Sequence, residues 1–316
     1  MWLWVSVVLL GLFLLRRWHR ERQTVPRLWE KHVLITGCDS GFGNLLARQL
    51  DQRGLRVLAA CLTEAGAAQL RASASPRLQT VLLDVTSSQN IATVTAWVRE
   101  RVGDQGLWGL VNNAGIAIPV APNEWLTKDD FMKVLNVNLL GLVEVTLSLL
   151  PLVRRARGRV VNVASVMGRV SFFGGGYCIS KYGVEAFSDS LRLEMRNFGV
   201  KVSLIEPGYF KTMITNIESL EKNFLAAWKK LPEEIKAAYG ECYLKRLLAS
   251  VKTMEKGHSR NLSLVTNCME HALTSAHPRA RYSAGWDAKL IYLPLSYLPS
   301  AFTDTVYTLL YPKSPG

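Results

Sequence analysis

Residues 32–44 read HVLITGCDSGFGN. The first five are apolar enough and short enough for a buried strand, and a helical pattern begins at Asn44. Between them, Gly37, Gly41 and Gly43 allow a sharp turn and a close approach to a phosphate, and the following helix offers free N–H groups. This spacing predicts the strand, turn and helix of a dinucleotide site. The alternative is a glycine-rich turn without a ligand.

The rest of the chain alternates apolar runs with helical periodicity. This alternation predicts a doubly wound parallel sheet of the Rossmann type, with about seven strands and helices on both faces. A charged, helix-rich stretch at about 209–278 predicts a substrate lobe inserted before the last strand, near 281–283. The intervening strands are expected at residues 56–61, 80–83, 107–111, 159–163 and 202–205.

The N-terminus predicts a membrane anchor. Residues 2–15 read WLWVSVVLLGLFLL, and four arginines follow within residues 16–22. A cleaved signal peptide carries its charges before the apolar run, and a core helix is not apolar on every side. We therefore expect an anchor at 1–18 and a linker at 19–30, whereas the orientation of the following domain stays open.

The domain at 31–289 is expected to be catalytic, and residues 290–316 to be membrane-associated. Prolines and an aspartate interrupt this apolar C-terminal segment, so a second full span is not expected. The net charge is +13, but the basic residues are scattered, which favours contact with anionic lipid over nucleic acid. Five cysteines and five isolated histidines lack the spacing of a disulfide framework or a metal site.

Tyr177 and Lys181 form the candidate catalytic pair. They stand four residues apart in a predicted helix at 177–195, so both side chains share one face. A free tyrosine has a pKa of about 10, and a nearby ammonium favours the phenolate. We therefore expect Lys181, aided by an oxidised nicotinamide ring, to lower the pKa of Tyr177 until it accepts the alcohol proton.

Two further polar residues are candidates for the same site. Ser165 follows the predicted strand 159–163 and can hydrogen-bond the substrate oxygen, or can serve as a helix cap. Asn138 lies in an otherwise apolar helix, where a buried amide needs partners. It is either a water-binding group that feeds protons toward Lys181 or a structural amide.

Other cofactor contacts are expected at the carboxyl ends of the strands. Neither an acid nor a base ends the second strand at Cys61, which favours NAD over NADP. Asp84 could accept from the adenine amino group or form a turn. Asn112 is expected to brace the sheet and the cofactor edge. The full set of expected cofactor residues is Gly37, Asp39, Ser40, Gly41, Phe42, Gly43, Cys61, Asp84, Val85, Asn112, Ala114, Gly115, Lys181, Pro207, Gly208 and Thr212.

These motifs together resemble the short-chain dehydrogenase/reductase family. The resemblance implies a catalytic tetrad of Asn138, Ser165, Tyr177 and Lys181, with Lys181 holding the nicotinamide ribose. The sequences at residues 35–43, 174–178 and 282–289 look like the microsomal retinol dehydrogenases that also oxidise 3α-hydroxysteroids. That branch implies NAD, an endoplasmic-reticulum membrane, and retinol or steroids such as androsterone and androstanediol as substrates. Ala164 departs from it, because close relatives often carry Ser there.

Apolar and aromatic residues near the catalytic helix predict a pocket for a lipophilic alcohol. The expected substrate residues are Ser165, Phe172, Phe173, Tyr209 and Phe210, although ordinary packing would also explain the aromatic ones. Alternative functions are an inactive cofactor-binding scaffold, a hydroxybutyrate-type enzyme for soluble substrates, or a 17β-hydroxysteroid dehydrogenase. A homodimer stays open.

Overall fold

The computed structural model describes residues 2–172, 174–255 and 257–310. Seven parallel strands form one sheet in the order β3-β2-β1-β4-β5-β6-β7. The chain reverses its direction across the sheet between β1 and β4, and a ligand crevice is expected there at the carboxyl ends. The strands are β1 (His32–Thr36), β2 (Arg56–Cys61), β3 (Gln79–Leu82), β4 (Gly109–Asn112), β5 (Arg159–Val163), β6 (Lys201–Pro207) and β7 (Arg281–Ala284).

Helices cover both faces of the sheet. The helical stretch α9 breaks at Gly240, whose φ of 73° lies in the left-handed region. The helices are α1 (Trp2–Glu21), α2 (Gly41–Gln52), α3 (Glu64–Ala72), α4 (Ser88–Val102), α5 (Lys128–Leu135), α6 (Leu142–Arg155), α7 (Gly176–Glu194), α8 (Ile217–Lys230), α9 (Glu233–Glu255), α10 (Ser263–Thr274), α11 (Leu293–Ser296) and α12 (Ser300–Leu310).

The predicted doubly wound sheet is confirmed, and β1, β2 and β5 have the bounds expected from the sequence. These strands lie inside the sheet, so nearly every side chain is buried and the apolar run has the same length as the strand. The bounds of β4 differ, because Leu107 and Trp108 are buried before the ladder with β1 begins at Gly109.

Two apolar layers hold the helices on the sheet. One layer packs α2, α3 and α10 against the strands, and the other packs α4, α6 and α7. Helix α10 falls within the predicted lobe, but its Val265, Met269 and Leu273 are fully buried against the sheet. Helix α10 therefore belongs to the core, because its apolar face packs beside α2 on the same face of the sheet.

The inserted lobe consists of α8 and α9. Its own apolar cluster is built around Trp125, which comes from the loop after β4. The centre of the Trp125 ring lies 5.0 Å from the centre of the Trp228 ring and 5.3 Å from the centre of the Tyr239 ring. These aromatic contacts fix the lobe over the carboxyl edge of the sheet, next to the crevice.

Helix α1 carries the predicted anchor. Trp4, Leu9, Leu10 and Leu12 point to different sides of it, and each is more than half exposed. Among the described residues, one helical stretch passes a test of length and hydropathy for a membrane span, and it is Lys128–Arg155. That stretch combines α5 and α6 and packs against the sheet and α7, so it is a core helix.

Candidate active site

A cleft of about 450 Å³ opens at the carboxyl edge where β1 and β4 meet. The glycine loop after β1 and the loop after β6 both line it, and Phe42 of the first packs on Phe210 of the second. Tyr177, Lys181 and Ser165 lie at one end of it. The cleft therefore has both the place and the size expected of a dinucleotide site.

The backbone of the glycine loop fits the predicted cofactor. Gly37 has a φ of 70°, and a Cβ there would lie 2.8 Å from the Cα of Ala114. A Cβ on Gly43 would overlap the carbonyl oxygen of Gly37. Ser40 precedes α2 without capping it by its side chain, so the first N–H groups of α2 are available to a pyrophosphate.

Asn113 braces this loop, whereas Asn112, which was expected to brace the sheet and the cofactor edge, braces only the sheet. Its Nδ2 donates to the carbonyl oxygens of Thr36 at 2.9 Å and Gly37 at 3.0 Å. The amide of Asn112 instead points into the core and donates to Thr146 and Asn162, each at 2.8 Å. Successive side chains at the end of a strand point to opposite faces, so only one of the two could reach the loop.

Most of the expected cofactor residues line the cleft. Gly43, Cys61 and Asn112 are the exceptions, because they lie buried behind its wall, where Leu62 and Thr63 take the place of Cys61. Asp84 lines the cleft and accepts from the backbone and hydroxyl of Thr86, as its predicted turn role requires, whereas its contact with an adenine amino group stays a prediction. The lining members are Gly37, Asp39, Ser40, Gly41, Phe42, Asp84, Val85, Ala114, Gly115, Lys181, Pro207, Gly208 and Thr212.

The structure brings Ser165, Tyr177 and Lys181 together. Helix α7 places Tyr177 and Lys181 one turn apart, and the Lys181 Nζ lies 5.7 Å from the centre of the Tyr177 ring. The ammonium donates to the carbonyl oxygen of Val163 at 2.8 Å. Ser165 follows β5 and shares a hydrogen bond with the Tyr177 hydroxyl, while its Oγ also accepts from the N–H of Met167.

Burial is the largest influence on the pKa values of Tyr177 and Lys181. It raises the pKa of Tyr177 to about 12, and the hydrogen bond with Ser165 opposes that rise. Burial also lowers the pKa of Lys181 to about 8, although the nearby Glu185 carboxylate acts against this. In the protein without cofactor, removal of water from the phenol thus dominates the pKa of Tyr177, and the expected lowering by Lys181 and an oxidised nicotinamide ring together stays a prediction for the cofactor complex.

Asn138 is a satisfied amide in the structure. It lies in the π-helical turn Asn136–Gly141, and its Oδ1 accepts from the N–H of Ile116 at 2.8 Å. Its Nδ2 donates to the carbonyl oxygen of Ile116 at 2.8 Å and to Ser180 at 3.0 Å. The side chain thus joins the catalytic helix to the loop after β4, which is the structural alternative given above. A π-helical turn is frequent at functional sites.

A smaller cavity, of about 120 Å³, shares five lining residues with the cleft: Ser165, Tyr177, Gly208, Ile214 and Thr215. We call it the catalytic cavity. Its other walls come mainly from apolar residues of the loops after β4 and β6 and from α8 and α9. They include Ala117, Val120, Ile217, Leu220 and Phe224. An apolar compound can therefore reach Tyr177 from one side and a cofactor from the other.

The expected substrate residues divide among different walls. Tyr209 lines the catalytic cavity, whereas Phe172 lines another cavity under the C-terminal helices. Phe210 was expected to contact the substrate, but it does not line the catalytic cavity. It is 2% exposed, packs on Phe42 and borders the cofactor cleft. Tyr209 and Phe210 are consecutive residues after β6 and point to opposite sides. Phe173 lies outside the described residues.

Three comparisons with known proteins agree with this geometry. The family model for short chain dehydrogenases matches residues 31–223. The chain is 64% identical to human retinol dehydrogenase 16 over 97% of this chain and 96% of that protein. It is 60% identical to human 17-beta-hydroxysteroid dehydrogenase type 6 over 99% of this chain and 98% of that protein. The fold also matches the crystal structure of a short-chain dehydrogenase from Streptomyces avermitilis, with a TM-score of 0.67 and 26% sequence identity. The match covers 89% of this chain and 94% of that one.

Proposed function

Since the chain belongs to the short-chain dehydrogenase family, we propose that it is a membrane-bound, NAD-dependent dehydrogenase of lipophilic alcohols. Its substrates are retinol and 3α-hydroxysteroids such as androsterone. The observation that carries this proposal is the position of Tyr177, which lies where an apolar cavity meets the cofactor cleft. The similarity to a retinol dehydrogenase and to a 17-beta-hydroxysteroid dehydrogenase supports retinol and hydroxysteroids as the substrate classes, while the 3α position is part of this proposal.

The residues at this junction have distinct roles. NAD bound in the cleft would supply the nicotinamide ring as the acceptor of the hydride from the alcohol carbon. The positive charges of Lys181 and of the bound cofactor would favour release of the Tyr177 proton to solvent. The resulting phenolate accepts the proton of the alcohol hydroxyl, and the Ser165 hydroxyl donates a hydrogen bond to the substrate oxygen. Lys181 would hold the nicotinamide ribose from the Val163 side of the cleft. Asn138 fixes the position of α7 relative to the loop after β4 through its hydrogen bonds to Ser180 and Ile116.

The carboxylate of Asp39 supports NAD as the cofactor. It accepts from the backbone N–H of Leu62 at 2.8 Å, and from the N–H and hydroxyl of Thr63 at 2.9 and 2.7 Å. The glycine loop therefore supplies, at the end of β2, the acid that β2 itself lacks. A negative charge here opposes the 2′-phosphate of NADP and can accept from the free 2′-hydroxyl of NAD.

We expect Asp39→Asn to reduce the preference for NAD over NADP, measured as the ratio of kcat/KM values, by about 10-fold or more. The amide keeps the size of the side chain but removes its charge, and tenfold corresponds to about 1.4 kcal/mol. Glu64→Gln is the matched control, because Glu64 pairs with Arg71 outside the cleft. An unchanged ratio in Asp39→Asn would remove Asp39 from this role.

The N-terminal helix supports attachment to the endoplasmic-reticulum membrane. Its exposed apolar residues need a lipid environment. Its end is fixed on the catalytic domain, because Glu21 pairs with Arg279 and the N–H of Val25 donates to the carbonyl oxygen of Thr274 at 2.8 Å. The residues expected to form a linker thus pair with the domain and set its position relative to α1.

The function is tested with the full-length protein in membranes, NAD and a panel of alcohols. We expect NADH formation with all-trans-retinol, with androsterone or with both, and a lower rate with NADP. Cofactor binding without turnover of any lipophilic alcohol would instead support an inactive scaffold. Turnover of a soluble hydroxy acid alone would also contradict the proposal.

A further inference from the structure

The catalytic cavity is too small for a whole retinoid or steroid. It measures about 120 Å³, whereas pockets for compounds of that size measure about 300–1,000 Å³. If lipophilic alcohols of this kind are the substrates, most of the molecule must lie outside the catalytic cavity. This step rests on the proposed function.

A second cavity, of about 460 Å³, lies beyond the first. We call it the outer cavity. Its walls come from α9, from the loop before α7 and from the C-terminal segment, and they are mostly apolar. They include Phe172, Leu247, Thr253, Ile291, Tyr292 and Leu309. Ile291 and Leu309 are 42% and 80% exposed, so the outer cavity reaches the surface among apolar side chains.

Three residues line both cavities and form the partition between them: Tyr209, Val251 and His258. The rings of Tyr209 and His258 are stacked, with their centres 5.2 Å apart and an angle of 14° between their planes. A flat pair of rings and an aliphatic side chain therefore lie between the two cavities. An opening bounded by these side chains would suit a slender chain or a flat ring system.

The backbone holds this partition in place. The N–H of Ser259 donates to the carbonyl oxygen of Tyr209 at 3.0 Å, and the N–H of Lys211 donates to that of Ser259 at 2.9 Å. Asp287, from the turn after β7, accepts from the N–H of Tyr209 at 2.7 Å. The segments that carry the two rings are therefore paired with each other and with the end of the sheet.

We propose that the outer cavity binds the apolar body of the substrate, and that Tyr209, Val251 and His258 form the passage through which its hydroxyl end reaches Tyr177. The ligand class is a long, narrow, uncharged alcohol with its hydroxyl at one end. Its body contacts Phe172, Ile291 and Tyr292, and its head occupies the catalytic cavity.

The test compares two allylic alcohols with the same reactive end, the long geranylgeraniol and the short prenol, on the full-length protein. Ile291→Trp and Thr253→Trp add bulk to the outer cavity from the C-terminal segment and from α9, and both positions are exposed. We expect each to lower kcat/KM for geranylgeraniol by about 10-fold or more, and to leave that for prenol within about 2-fold.

Leu290→Trp is the matched control, because Leu290 neighbours Ile291 but does not line the outer cavity and is 72% exposed. Leu290→Trp should change kcat/KM for neither geranylgeraniol nor prenol. All three variants should keep the wild-type affinity for NAD and the wild-type melting temperature. Equal kinetics for Ile291→Trp, Thr253→Trp and Leu290→Trp would overturn the inference while the proposed function stands. A parallel loss with both alcohols would overturn it as well. A wild type that oxidises no lipophilic alcohol would overturn the proposed function and this inference with it.

Discussion

Replacing Tyr177 by Phe is expected to lower kcat for alcohol oxidation by about 10³- to 10⁴-fold, the upper range for loss of a general base. The ring stays, so the packing at the junction of the two cavities changes little, but the oxygen that accepts the proton is lost. The affinity for NAD, measured by the quenching of tryptophan fluorescence, should stay within about 3-fold of the wild type.

Tyr182→Phe is the matched control for this variant. Tyr182 lies on the same helix, is 45% exposed and lines neither the cleft nor the catalytic cavity. It should retain wild-type turnover. If Tyr177→Phe kept more than a tenth of the wild-type kcat, another group would be the base and the assignment of Tyr177 would be wrong.

Replacing Lys181 by Met is expected to reduce kcat/KM by at least about 100-fold and, at the same time, to stabilise the ligand-free protein at pH 7. The fall of the Lys181 pKa from 10.5 to about 8 corresponds to about 3 kcal/mol against the charged form in the fold. The lost bond to Val163 offsets about 1 kcal/mol of this gain. We therefore expect a free energy of unfolding that is higher by about 1–3 kcal/mol.

The sign of this effect sets its pH dependence. Below pH 8, Lys181 is protonated in the folded and the unfolded chain, so the full cost of burying the ammonium is present. Between pH 8 and 10.5 the folded protein releases its proton first, and the wild type gains stability relative to Lys181→Met. The difference between the two should shrink over this range in chemical unfolding experiments.

Lys133→Met serves as the control, since Lys133 is an exposed lysine on α5. Its free energy of unfolding should differ little from that of the wild type at any pH in the series. A Lys181→Met protein that is less stable than the wild type at pH 7 would show that the ammonium stabilises the fold, contrary to this account.

The nucleotide-binding half of the fold was predictable because its signals are local. An apolar run, a glycine turn and a helix are consecutive in the chain around Gly37, and a buried strand such as β5 has the same length as its apolar run. The four-residue spacing of Tyr177 and Lys181 likewise fixed their common face once α7 was expected.

Other parts of the site depend on residues that are distant in sequence. Asp39 supplies an acid to the end of β2 only because the glycine loop folds beside Leu62. The pairing of Asn138 with Ile116 and Ser180 could not be read from a lone amide in an apolar helix.

By itself the sequence determined the sheet, the glycine turn and the shared face of Tyr177 and Lys181, because these follow from the repeat of a strand or a helix. Only the tertiary structure decided which side chains face the substrate, how far burial shifts the pKa values of Tyr177 and Lys181, and where Tyr209 meets His258. These properties depend on which segments exclude water from one another, and that is set by packing across the whole fold.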